Sequence, residues 1–284
     1  MSVDIGTDSE TGVLPDELLS AEDSYERLLR GAVGTVAFLA VWHVAALSQP
    51  VFLLPSPIEV ANAFLVELTA PEAFVVPVTG TELTLTRLPV KLIQSLYHYV
   101  PGLLIGGTAG IASGLALGWS SALDDAFTPV TRVLRPIPPL AWIAFAIVWL
   151  GVNHTGAAFI VGIGAFWINF YNAYAGVEGV PNDLQEVASS LGVDDDLTMI
   201  RKVVIPSATP EIMTGIRTSI GQGWMIVVAA ELFGAPGIGF EIINASQNLA
   251  LDVSVAYMFV ISLVFLVSDW AFRRVERRVL AWRA

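Results

Sequence analysis

Residues 182 to 217 read NDLQEVASSLGVDDDLTMIRKVVIPSATPEIMTGIR, a polar stretch lying between two strongly apolar ones. Asp183 with Glu186 three residues on predicts a helix start, an N-cap carboxylate with a second acid in the first turn, where backbone N–H groups lack partners. Leu184, Val187, Ala188 and Leu191 then fall on one helical face. Gly192 is expected to end the helix in the left-handed conformation that a Cβ disfavours. Asp194, Asp195 and Asp196 open a second short helix, predicted to close before Pro206. The stretch is thus expected to be a compact helix-turn-helix outside the bilayer.

Its surroundings are oily. The chain has 284 residues, 55% hydrophobic and 14% charged, with a mean hydropathy of +0.68. That composition belongs to an integral membrane protein and excludes an ordinary soluble domain. Six segments are long and apolar enough to cross a hydrocarbon core of roughly 30 Å: residues 31–48, 96–119, 136–151, 155–176, 216–234 and 254–272. The third starts in Pro136, Pro138 and Pro139, so it is expected to be a broken helix beginning near Pro129. Between the first two spans, Leu53 to Leu68 reads as a proline-broken turn and then an amphipathic interfacial helix. Residues Thr79 to Leu88 alternate polar and apolar, a strand or hairpin signal. The expected fold class is all-α and polytopic, with about six transmembrane helices.

Basic residues set the orientation. With the N-terminus inside, Arg27, Arg30, Arg132, Arg135, Arg201, Lys202, Arg217, Arg273, Arg274, Arg277, Arg278 and Arg283 fall on the cytoplasmic side, and only Arg87 and Lys91 outside. Both termini and the opening helix-turn-helix are therefore expected in the cytoplasm, in the plasma membrane of the cell. Residues 1–26 hold eight of the 26 acids and no apolar run, so they read as a disordered acidic tail and not as a signal peptide. Residues 27–284 form the transmembrane domain. The net charge of -12 points to a halophile.

Several chemistries are excluded. No cysteine is present, hence no thiolate metal site, disulfide or cysteine nucleophile. Lys91 and Lys202 follow Val90 and Arg201, so no Walker motif exists and any nucleotide energy must come from a partner. His43, His98 and His154 lie in three segments without metalloprotease spacing, and their ordinary reading is structural. An intramembrane serine protease would have only Ser113 and His154 to use as nucleophile and base. No catalytic residue, metal, cofactor or nucleic-acid partner is expected. Gly102, Gly106, Gly110, Gly114 and Gly118 recur at every fourth position of the second span, a small-residue face for close helix packing, with pore lining or a subunit interface as the alternatives. Glu231 is placed to meet N–H groups of the following GAPGIGF turn, or else to gate or touch a ligand. Asp269 with Arg273 reads as an i,i+4 pair reaching the membrane surface. Candidate path-lining groups are Asn153, Asn169, Asn172, Gln222 and Glu231.

The opening stretch resembles the cytoplasmic EAA loop of the permease subunits of ABC importers. It stands here as Glu186-Val187-Ala188, Gly192, and then Val203-Val204-Ile205-Pro206, with Val187 in place of the middle alanine and one extra residue between Gly192 and the proline. LPSP at Leu54–Pro57, RPIPPLAW at Arg135–Trp142, NAYAGV at Asn172–Val177 and PGIGFEI at Pro236–Ile242 extend the resemblance to the nitrate/sulfonate/taurine branch. His98 stands where that branch more usually has arginine, and residues 70–90 look like a local elaboration.

The resemblance implies a type I importer permease whose coupling loop, residues 178–214, inserts into a cytoplasmic ABC ATPase. Glu186 would bond a basic groove residue, Ala188 and Leu191 would fill the groove, Gly192 would set the elbow and Pro206 would end the second helix. It also implies a second permease subunit, a homodimer, an extracytoplasmic solute-binding protein, and as cargo a small anion of the nitrate, sulfonate or taurine kind. A stand-alone channel or secondary transporter is the alternative that would need no such loop.

Overall fold

The structure, a computed structural model, describes residues 16–75, 80–193 and 195–283. Helix α1, Asp16–Ala46, begins inside the stretch read as an acidic tail, and residues 1–15 of that stretch lie outside the described residues. Ser48 to Ser56 then turn the chain into α2, Pro57–Thr69. Its start is a complete capping box: Ser56 Oγ accepts from the Glu59 N–H, and the Glu59 carboxylate accepts from the Ser56 N–H. That bond to a backbone N–H holds the Glu59 carboxyl below its ordinary range.

The alternating stretch does form a strand. β2, Glu82–Thr86, pairs antiparallel with β1, Pro71–Val75, with Ala73 opposite Thr84. The hairpin is pinned to the helices by Lys91, whose ammonium lies 2.8 Å from both Glu72 and Glu241.

The centre of the fold is a three-helix packing of α3 (Arg87–Trp119), α6 (His154–Glu178) and α9 (Ile205–Glu231). The glycine ladder makes it possible. A Cβ on Gly102 would come within 2.6 Å of the Ala158 carbonyl oxygen, one on Gly118 within 2.8 Å of Val177, and those on Gly106, Gly110 and Gly114 would overlap the backbone of α6 at Gly162, Phe166 and Phe170. The glycines therefore lie against another helix of the same chain, as close helix packing requires. On the far side, Tyr99 stacks on Trp224 of α9 with centroids 4.4 Å apart.

The third span departs from expectation. Its first arm, α4, starts at Ser121, capped by Ser120, and runs through Pro129 to Leu134 without breaking. The break falls at Pro136 and Pro138, after which a 3-10 turn, Pro139–Trp142, leads into α5, Ile143–Leu150. The two arms meet at 86°. Pro129 loses only one internal bond, whereas Pro136, Pro138 and Pro139 remove three N–H donors within four residues.

Among the described residues four helices are long and apolar enough to cross a membrane, at Leu28–Ala46, α3, α6 and Leu251–Val279 (α11), and the bent pair makes a fifth. The remaining predicted span, 216–234, lies in α9, which at 27 residues is about 40 Å long but more polar. Its other flanks are taken by α3, α6, α10 and α11, whereas Glu211, Arg217 and Gln222 lie on its exposed side. α10, Ile238–Gln247, folds back from α9 before α11 returns.

Candidate functional site

The chain offers two sites at opposite ends of the α3–α6–α9 core. At one end stands the elbow. α7 runs Asn182–Ser190 with Pro181 as N-cap, so Asp183 is a first-turn acid near the unpaired N–H groups and not the cap itself. The helix ends in a full Schellman pair: Gly192, at φ +88°, donates to Ser189 O at 3.0 Å, and Val193 donates to Ala188 O at 3.0 Å. Asp195 then caps α8, Asp196–Met199, its Oδ2 accepting from the Thr198 N–H at 2.8 Å. That bond holds the Asp195 carboxyl below the usual carboxylate range. Asp194 lies outside the described residues.

Pro206 does not end the second helix. α8 passes through one π-helical turn, Ile200–Val204, straight into α9, and Pro206 sits in that helix's first turn. The wider turn absorbs the proline's missing donor, since Ile205 N–H bonds back five residues to Ile200 O. The elbow is therefore one rigid piece with a central helix.

The predicted apolar face of α7 is divided. Ala188, 8% exposed, packs inward with Val177, Val180, Met199 and Val204, beside Leu115 and Trp119. It thus belongs to the chain's own core and cannot fill a partner's groove. Leu184, Val187 and Leu191 point outward, Leu191 at 79% exposure, and Leu197 of α8 joins them at 75%. Glu186 is exposed beside this ridge, its side chain free of intramolecular bonds among the described residues.

Of the candidate path groups, Asn153 is a helix cap, its Oδ1 accepting from the N–H groups of Thr155 and Gly156. Asn172 bonds its own helix at Ile168 O, and Gln222 is exposed on α9. Asn169, 1% exposed, donates to Ala165 O but leaves Oδ1 without a partner in the space kept open by Gly107 and Gly215. These four are not brought together in one site. Asp269 makes the expected bond to Arg273 and a second, across helices, to Arg217. Ser113 bonds its own helix at Ala109 O, and His154 bonds His98, so no nucleophile and base pair forms.

At the other end Glu231 reaches the turn as expected: its Oε2 accepts from the Gly239 N–H at 2.6 Å. Its Oε1 accepts from His98 Nδ1 at 2.8 Å, and His98 Nε2 lies 2.6 Å from His154 Nδ1. Glu231 and His98 are both wholly buried. Ser95, equally buried, accepts from the Ile238 N–H at 2.9 Å, so α10 is capped by side chains of α3 and α9 where Gly237 has none to offer. The joining of His98, His154 and Glu231 was missed by reading them singly, although the expected topology places all three at the same end of three spans. His154 also lines a cavity of about 670 Å³ together with Tyr97, Gly102, Trp142, Thr155 and Phe166.

Comparison with known proteins bears on both ends. The family of binding-protein-dependent transport system inner membrane components matches residues 83–281. An ABC transporter permease of Methanocaldococcus jannaschii is 37% identical over 67% of this chain and 72% of its own length. The taurine transport system permease of Escherichia coli is 32% identical over 88% and 89%, and a nitrate import permease of Synechocystis 33% identical over 82% and 83%. Among solved structures, the inward-facing MetNI methionine ABC transporter superposes with a TM-score of 0.58 at 18% identity, covering 68% of this chain and 95% of the matched one, a likeness of fold.

Proposed function

The chain belongs to the binding-protein-dependent inner membrane components, the membrane-spanning permease subunits of ABC importers, and from that membership we propose its docking contact, its assembly and its cargo. It is a transport subunit and not an enzyme. The outward ridge of Leu184, Val187, Leu191 and Leu197, with Glu186 at its side, is the surface that enters a groove on a cytoplasmic ATPase. One observation carries this reading: the ridge is exposed apolar surface on an element whose other face is fixed into the core by Ala188, Met199 and Val204. A lever must be apolar outside to be held, and rigid inside to move what it is attached to. The continuous passage from α8 into α9 makes it such a lever.

Both termini are then cytoplasmic, two copies of the chain frame the path as a homodimer, and an extracytoplasmic binding protein delivers the solute. The cargo is a small oxyanion, supported by relatives named for taurine and nitrate. Near the membrane, Arg217 is already held by Asp269 and Glu276, so such an anion would pass over amide, hydroxyl and backbone donors. Weak contacts of that kind let an ion enter and leave, and they place selection in the binding protein.

The test uses the reconstituted importer of permease, ATPase and binding protein. Leu191→Asp should leave the permease folded, abolish cargo-stimulated ATP hydrolysis and release the ATPase on purification. A variant complex that stays intact and transports normally would sink the docking assignment. With no native cysteine, Ser190→Cys labelled by an impermeant maleimide in right-side-out and inverted vesicles tests the sidedness, and labelling from the outside would overturn it.

A further inference from the structure

The three-residue chain at the end opposite the elbow does more than brace helices. Its atoms can be counted. Glu231 Oε2 accepts from the Gly239 N–H, and with a proton on His98 Nδ1 its Oε1 accepts as well, so Glu231 is then a carboxylate with no proton of its own. One proton must lie between His98 Nε2 and His154 Nδ1, 2.6 Å apart. With Glu231 as a carboxylate two arrangements satisfy every contact, and shifting the His98 Nδ1 proton onto Glu231 Oε1 gives only a tautomer of the second with the same charge. In the first, that proton belongs to His154, both rings are neutral, the cluster carries one negative charge, and the free ring nitrogen of His154 is a bare acceptor. In the second, it belongs to His98, which is then an imidazolium against the carboxylate; the cluster is neutral and the free nitrogen of His154 bears a proton. The two states differ by one proton, and they interconvert by adding it at the exposed edge of His154 while the one on Nδ1 passes to His98 Nε2.

We propose that His154, His98 and Glu231 form a proton-binding relay, loaded through the free edge of His154 and discharged onto the buried His98–Glu231 pair. His154 is half-buried and lines the 670 Å³ cavity, whereas His98 and Glu231 are wholly enclosed, so a proton has one way in. Loading turns the nitrogen that His154 shows to the cavity from acceptor into donor and cancels a charge inside an apolar bundle. Glu231 keeps its bond to α10 in both states, so the relay changes charge without releasing the helix it caps.

Of the neighbouring titratable groups, Tyr97 alone among the described residues lies against His154. Tyr97 of α3 lies with its ring 5.9 Å from that of His154. Lys91 of α3 is held between Glu72 of β1 and Glu241 of α10, and Glu67 of α2 by Tyr257 of α11 and by Arg87. Asp252 opens α11, α6 carries no charged residue before Glu178, and α9 none between Arg217 and Glu231.

The relay is tested on the histidines directly, with or without transport. The chain has three, so ¹⁵N-histidine spectra of the permease in lipid nanodiscs resolve His98 and His154 against His43 of α1 as an internal standard. As pH is lowered across the range in which the protein stays folded, His98 and His154 should shift together in one step with an uptake of one proton. His154→Gln, which accepts the His98 bond but passes no proton, should abolish the step at His98 while leaving the His43 signal the same as in the natural chain. His154→Phe should do the same, guarding against a fold specific to glutamine. Separate steps for the two rings, an unaltered His98 step in both variants, or no titration of either ring in that range would each overturn the relay.

Discussion

The elbow and the His98–Glu231 network occupy the two ends of the same three helices, about 36 Å apart along α6, and they are built by opposite rules. At the elbow polar groups are settled locally, by a Schellman turn and an aspartate cap, and the apolar side chains are left open. At the network polar groups from α3, α6, α9 and α10 satisfy one another in an apolar interior that His154 opens to the cavity. An exposed apolar surface tolerates change in its own fold but not in its partner. A buried polar cluster tolerates neither change nor loss of a member. The α3–α6–α9 packing is what joins them, and the glycine ladder is what lets it be tight.

The largest effect should come from breaking the network. Glu231→Ala strands a buried His98 and leaves the Gly239 N–H without a partner, an expected loss of about 3 to 5 kcal/mol in unfolding free energy. Glu231→Gln keeps an oxygen for the Gly239 N–H and offers its amide NH2 to His98 Nδ1, which must then accept in its other tautomer, and it should lose less, about 1 to 3 kcal/mol. Chemical unfolding of the purified permease in mixed micelles reads both. Equal losses for the two would mean that charge, and not satisfaction of α10, is what Glu231 supplies.

Next comes the inward side of the elbow. Ala188→Phe adds a ring where Val177, Met199 and Val204 already meet, and overpacking of this kind destabilises by about 1 to 3 kcal/mol. The same substitution at Val187, 56% exposed, should leave stability within about 0.5 kcal/mol. This pair of neighbours tests whether the face divides as described.

That division shows where the sequence was legible and where it was not. Periods and caps are local, so the helix-turn-helix, Gly192, the Asp195 cap, the glycine ladder and the Asp269–Arg273 pair could all be read from spacing. Which residue of an apolar face points inward depends on what packs there, and Ala188 was assigned outward because Leu115 and Trp119, which pack at that cluster, are remote in sequence. Pro206 was read as a stop because nothing in a sequence announces a π-turn. His98 and Glu231 are 133 positions apart, so only the tertiary fold unites them. The Ser95 bond to Ile238 was hidden for the same reason.

The outward side should move function and not stability. Leu191→Asp is expected to change the unfolding free energy by no more than about 0.5 kcal/mol while reducing ATPase recovered with the permease by about tenfold or more. Parallel loss of fold and of partner would erase the contrast between the two ends.

The smallest effect concerns acid. The Thr198 N–H bond holds the folded pKa of Asp195 below the ordinary aspartate value of about 3.9, so its contribution is complete above that value and is lost as pH falls through the lower, folded one. Asp195→Asn keeps a side-chain acceptor but cannot titrate. Amide exchange at Thr198 and Met199, followed from pH 5 downward and corrected for the intrinsic exchange rate, should therefore lose protection below about pH 3.9 in the natural chain and stay flat in the variant. The network end holds no comparably exposed carboxylate bond, so Ile238 and Gly239 should keep their protection across the same range. If they open first, the elbow is the firmer of the two ends, and the lever would be anchored at the wrong place to move the bundle.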